Sequence, residues 1–223
     1  MIKKLYSYRF EIFLIIQLAI LFGSLFFSHG FYEYTLLPSL YLMNIASGIL
    51  MISKKKKVMW FCILLFAIAT FIFGSDIISR TQNTDNILLR LSVYFIFHLI
   101  VTWNIIQQVW KSKRVTQKVI TGLISGYISL GFLGFFLFMS IDLTNSDAFM
   151  GNLMDSSDII IRSESLLYYA YITLLTIGYG EIVPAIPIAQ KAAILVGMVG
   201  QFYLAIVTAV IIEKYIRHSL RSE

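Results

Sequence analysis

Thr176-Ile177-Gly178-Tyr179-Gly180 is the stretch of this 223-residue chain whose residue types and spacing could do chemistry. The chemistry would be the dehydration of a cation. A bare cation enters a protein only where something replaces its water shell, and a row of backbone carbonyls pointing one way can do so. Ordinary strand geometry does not supply such a row. Glycine relieves this, because positive φ costs it little. Gly178 and Gly180 flank Tyr179, so its backbone can join the row while its side chain points outward into a wall. The Thr176 hydroxyl can add an oxygen to the innermost ring. One chain supplies one strand and enclosing an ion takes four, so a homotetramer is expected. The bland alternative is a Gly-Tyr-Gly turn between two apolar segments. Other chemistry finds little support. His29, His98 and His218 fall near the outside, the middle and the cytoplasmic side, with no metal-ligand or nucleophile-base spacing. Cys62 is the one cysteine, so no intrachain disulfide forms. Catalysis is not expected, and neither is a cofactor beyond a permeating ion.

The elements that must hold this stretch are apolar. Residues of the hydrophobic types make up 58% of the chain, charged ones 13%, and the mean hydropathy is +0.80. A soluble domain of this length needs more polar surface, so the class is an all-α membrane protein. Six blocks are long enough to cross a bilayer, at roughly 10–28, 34–53, 58–78, 87–110, 119–142 and 186–215. A shorter stretch, about 164–175, reads as a re-entrant helix that delivers the chain to Thr176. Its C-terminal end carries partial negative charge, which favours a cation. Two domains are expected, 1–118 with four helices and 119–223 with the outer helix, re-entrant helix, 176–180 loop and inner helix. There is no internal repeat.

Orientation follows from the basic residues. With a cytoplasmic N-terminus, Lys3, Lys4, Arg9, Lys54–Lys57, Lys111, Lys113, Arg114, Lys118, Lys214, Arg217 and Arg221 lie inside, 14 of the 18. Nine of the 12 acids, among them Asp142, Asp147, Asp155, Asp158 and Glu181, fall at or near the outer face. A multi-pass protein of the cell membrane with both termini cytoplasmic is expected. Lipid is its surroundings, and the net charge of +6 serves topology rather than nucleic acid. The first block follows Lys3, Lys4 and Arg9 like a signal peptide, but no small-x-small cleavage site follows, so a retained helix is expected.

Thr173-x-x-Thr176-Ile177-Gly178-Tyr179-Gly180-Glu181 resembles the selectivity filter of the potassium channel family, and the resemblance extends over about residues 164–210. It implies that K+ binds at Thr176, Ile177, Gly178 and Tyr179, with Gly180 closing the filter and Thr173 behind it. Tyr168 and Tyr169 fall where many members carry two tryptophans, and Glu181 where most carry aspartate. The resemblance implies a brace between this pair and the acid, with Tyr169 to Glu181 as the expected bond. Ile172 stands where some members have a pore-helix glutamate. The activity implied is passive K+ conduction. A non-selective cation channel or a subunit of a potassium transporter are the alternatives.

The last block would be about 45 Å long as a helix. Pro187 suits its first turn. The resemblance places Gly200, with Gly197 one turn earlier, at the hinge of the inner helix. Close packing against the fifth block, which carries Gly122, Gly126, Gly131 and Gly134, competes with that reading. Thr208 is expected to face a water-filled cavity. Asp147, Asp155 and Asp158 form either a charged mouth or a solvated turret. In the fourth block, the register from Arg90 runs Val93, Ile96, Leu99, Thr102, Ile105 and Gln108, which leaves at most one rung of a voltage-sensing ladder. The alternative for Arg90 is a structural bridge to Asp76 at the outer ends of the third and fourth blocks. Asn44 and His98 lie inside spans and are expected to make one interhelical hydrogen bond each.

Overall fold

Helical periodicity and the scarcity of β-branched alternation produce a chain that is nearly all helix. The computed structural model describes residues 6, 8–53, 55–79, 84–112, 116–145 and 147–219. Helix α1 is Arg9–Phe22, α2 Leu37–Ile52, α3 Lys56–Ser79, α4 Thr84–Lys111, α5 Gln117–Thr144, α6 Ile159–Leu174 and α7 Pro187–Ser219. Two short strands, β1 Phe149–Met150 and β2 Val183–Pro184, pair antiparallel. Among the described residues, three helical segments are long and apolar enough to cross a membrane: Asn86–Lys111, Gln117–Thr144 and Pro187–Glu213. The chain divides into two units, Met1–Val109 with Thr116–Gly126 and Trp110–Val115 with Tyr127–Glu223.

In the first unit, α2 packs against α1 and α3. Phe13, Ile20, Ile45, Met51, Phe97 and Ile105 are fully buried. Gly48 sits where a Cβ would strike the Phe97 ring, so the small residue lets α2 and α4 close on each other. The first apolar block is shorter than the sequence suggests. α1 spans 14 residues, or about 21 Å, and the 3-10 turn Gly23–Leu25 carries the block three residues further. The physical cause is Tyr32, whose hydroxyl donates to the carbonyls of Ala19 (3.1 Å) and Ile20 and whose ring lies against Gly23. A π-helical turn, Tyr32–Leu36, then leads directly into α2.

Two cationic side chains gather helix ends in this unit. Arg9, opening α1, donates to Gln108 Oε1 near the end of α4 (3.2 Å) and stacks over the Tyr6 and Phe10 rings. Lys55, between α2 and α3, donates to Asn104 Oδ1 and Gln107 Oε1, both at 2.7 Å. The start of α1, the α2–α3 junction and the end of α4 therefore lie on one side, as an up-down alternation of helices requires. The expected interhelical bond of Asn44 is not made. Its amide is buried with neither Nδ2 nor Oδ1 hydrogen-bonded. His98 Nδ1 lies 2.9 Å from Tyr94 O on its own helix, one turn back, where a helical carbonyl is in easy reach. Asp76 lies outside the residues whose side chains are described, and so does its match with Arg90.

In the second unit, α6 and α7 pack together, and Phe132, Phe136, Phe138, Phe149 and Leu166 form a fully buried core. α6 begins five residues earlier than the apolar stretch at 164 because Asp158 caps it, accepting from Ile160 N–H at 2.9 Å. Of the α5 glycines described, Gly134 packs against α7 through Val196 and also meets Ala170, while Gly122, in the first unit, takes the Phe10 ring and Gly131 the Tyr171 ring.

Candidate functional site: the loop that follows α6

α6 is aimed by three contacts. The Tyr171 hydroxyl donates to Ile128 O on α5 at 2.7 Å, and the Tyr127 hydroxyl donates to Leu174 O at 3.3 Å. At its start, Arg162 forks onto Asp142, with Nε on Oδ2 at 2.9 Å and Nη2 on Oδ1, while Nη1 donates to Met154 O at 2.6 Å. The Asp142 side chain is 3% exposed, so this pair is largely desolvated at the carboxylate end. The bonded carboxylate raises the guanidinium pKa above its already high ordinary value. Nothing in the sequence pattern singled out Asp142 and Arg162, whose bond spans 20 residues.

At Leu175 the helix stops and the backbone hooks over its own end. The amides of Leu175, Thr176 and Ile177 donate to the carbonyls of Tyr171 (2.8 Å), Thr173 (3.0 Å) and Ile172 (2.8 Å), and Gly178 N–H shares Ile172 O at 3.4 Å. From there the handedness alternates. Thr176 has φ 57°, Gly178 56° and Gly180 95°, while Ile177 and Tyr179 between them keep negative φ. Alternation of left- and right-handed residues turns successive peptide planes the same way. The amides of 176–178 are spent on α6, and among the described residues no donor reaches the carbonyls of Thr176, Ile177, Gly178 or Tyr179. A row of unpaired carbonyl oxygens is what a dehydrated cation needs.

The sequence anticipated positive φ at the two glycines. It did not anticipate Thr176, a β-branched residue in a conformation that costs about 1–2 kcal/mol. Its hydroxyl donates to Leu175 O at 2.7 Å and accepts from Gln201 Nε2 at 3.1 Å. Gln201 also went unremarked in the sequence, because one amide on an apolar helix carries no pattern.

The remaining candidates are placed as follows. Tyr169 is buried, its ring 5.0 Å from that of Phe138 and 5.5 Å from that of Phe149. The brace is therefore corrected by one residue: Tyr168 is the phenol beside Glu181, and that carboxylate pushes it up to about 12. One turn position decides this, because Tyr169 points into the α5 side of the helix and Tyr168 away from it. Glu181 Oε1 is buried without a hydrogen bond. Thr173 supports the loop through its carbonyl, on which Thr176 N–H is anchored. Tyr179 is 72% exposed, so the chain itself provides no wall for it. Asp158 caps α6 through one carboxylate oxygen and keeps its charge.

On α7, Gly200 is a contact rather than a spacer. A Cβ there would run into the Leu174 carbonyl oxygen, whereas one at Gly197 would sit an ordinary 3.7 Å from Thr173 O. The partner that demands glycine is the end of α6, not α5. α7 continues as helix through both glycines. Thr208 is exposed and lies seven residues beyond Gln201, two turns along the same face.

Above the loop, β1 pairs with β2, with Phe149 opposite Pro184 and Met150 opposite Val183, and Ala185 N–H donates to Ala148 O at 2.9 Å. Gly151, at φ 136°, passes so close to Glu181 O that no side chain fits. The outer loop is thus stitched to the exit of the 176–180 segment.

Residues 123–217 match the family model described as an ion channel. The matched stretch takes in most of α5, all of α6, the carbonyl row and α7 almost to its end. No curated protein and no solved structure matches the chain. Residues 123–217 are thus similar to ion channels.

Proposed function

We propose that the protein is a potassium-selective channel in which four copies surround one axis and K+ passes down its gradient. The observation that carries this reading is the backbone from Thr176 to Gly180: alternating handedness, amides turned onto α6, carbonyls left over. K+ would be held at Thr176, Ile177, Gly178 and Tyr179, and Gly180 would let the chain leave the row. Four strands would complete each ring of oxygens. α7 supports assembly, because 17% of its most apolar window is buried within the chain against 72% for α5. Ile194, Leu195, Met198, Phe202 and Ile206 remain exposed on it, ready for lipid and for neighbouring copies.

In this reading the chain crosses the membrane six times with both ends cytoplasmic, and α6 enters from outside. The test is purification, mass determination of the detergent-solubilised particle, and flux from liposomes. A tetramer that releases K+ at least about a hundred-fold faster than Na+ is the expected result. Equal K+ and Na+ flux would establish the non-selective alternative. A monomer would remove the pore altogether.

A further inference from the structure

Gly200 allows α7 to approach the carbonyl end of α6 so closely that the next side chain, Gln201, reaches the first residue of the carbonyl row. We propose that Gln201 is a positioning residue for the innermost cation ring, locking the Thr176 hydroxyl so that its oxygen cannot close around a smaller ion. The inference rests on the potassium-selective reading above and deepens it.

A threonine hydroxyl has one proton to give and two lone pairs. The proton goes to Leu175 O at 2.7 Å. Any partner on Oγ1 must then be a donor, and the amide nitrogen is the end of the Gln201 side chain that can serve. It stands 3.1 Å away. Two bonds in different directions fix the oxygen and leave one lone pair for a cation. With the Gln201 bond gone, Oγ1 is held on one side and can swing about the Cα–Cβ bond.

Rigidity matters here for a physical reason. Discrimination by size requires oxygens that do not follow a smaller ion inward. Thr176 also holds a strained φ of 57°, and strained residues persist where their surroundings over-determine them. Gln201 belongs to that surrounding. The same face of α7 carries Thr208 two turns further on, with the apolar Leu204 and Ala205 between, so among the described residues Gln201 is the one polar side chain of that face to meet the carbonyl row.

The test uses the full-length tetramer in liposomes. Gln201→Met keeps the length of the side chain and removes the donor, and Gln201→Ala is the second variant. K+ flux should survive in both. The K+ to Na+ flux ratio should fall about five-fold, the scale of one hydrogen bond. A purely structural role would act whatever stands at 176, so Gln201→Met is repeated on Thr176→Ser, which keeps the hydroxyl, and on Thr176→Ala, which lacks it. Inhibition by barium added on the inner side, a divalent ion of potassium's size, reads the innermost ring even where selectivity has gone. The shift in barium inhibition should persist on Thr176→Ser and vanish on Thr176→Ala. A wild-type protein without K+ preference overturns both the reading and this inference. A selective wild type with an unchanged ratio in Gln201→Met and Gln201→Ala, or an equal barium shift on Thr176→Ala, overturns the inference alone.

Discussion

Gly178 and Gly180 are open in space: an added Cβ would meet nothing within 4 Å at either. Their constraint is purely one of backbone angle. Gly178, at φ 56°, lies in the left-handed region that Thr176 next but one already tolerates, and Gly180, at 95°, lies beyond it. Replacing Gly178 by alanine should therefore weaken selective flux, and replacing Gly180 should abolish it, with the particle still tetrameric in both. Liposome flux ranks the two, and equal behaviour would count against the backbone account. Arg162 invites a different measurement. Removing it strands a buried Asp142 carboxylate, so Arg162→Met should cost about 2–3 kcal/mol, below the range for fully buried pairs because the guanidinium is partly exposed. Adding Asp142→Asn should restore most of the loss, since the two sites are coupled. Thermal unfolding in detergent reads both variants.

At the scale of elements, the meeting of α6 and α7 decides how the loop is held. Gly200→Ala would push a methyl into the Leu174 carbonyl oxygen, a backbone atom that cannot move alone, whereas Gly197→Ala makes an ordinary contact. The first change should lower the melting point and the K+ flux together, and the second should do neither. If both glycines acted only as a bending point, both would alter flux and spare stability. The elements were largely legible in the sequence. Apolar blocks located the helices, and Gly178 and Gly180 marked the positive-φ turn, whereas the contact of Gly200 with the end of α6 was not foreseen. What escaped has physical reasons. The Tyr32 hydroxyl shortens α1 through a tertiary bond that no local pattern announces. The Asp142–Arg162 and Gln201–Thr176 bonds span 20 and 25 residues. Tyr168 and Tyr169 are alike in composition, and the packing of one ring on Phe138 chose between them.

For the whole molecule, α4 gives the clearest expectation. It is one helix of 28 residues, and the three-residue register from Arg90 meets no second basic residue before Lys111. One charge moved through 100 mV yields about 2.3 kcal/mol, and a steep sensor uses roughly three to four charges per subunit. Conductance in symmetrical potassium should therefore vary only gently with voltage across a planar bilayer. A curve as steep as three charges per subunit would reject this account of α4. The hydrogen bonds that bind Arg9 and Lys55 to the end of α4 point the same way, since they clamp the helix that would have to slide.

The amides of Thr176, Ile177 and Gly178 are all committed to the final turn of α6. A halide, which needs protons offered to it, meets lone pairs alone along that part of the path. In a pore lined by this loop the hook of the chain itself would turn chloride away, and the rejection should hold in concentrated salt, where a fence of surface charges would fade.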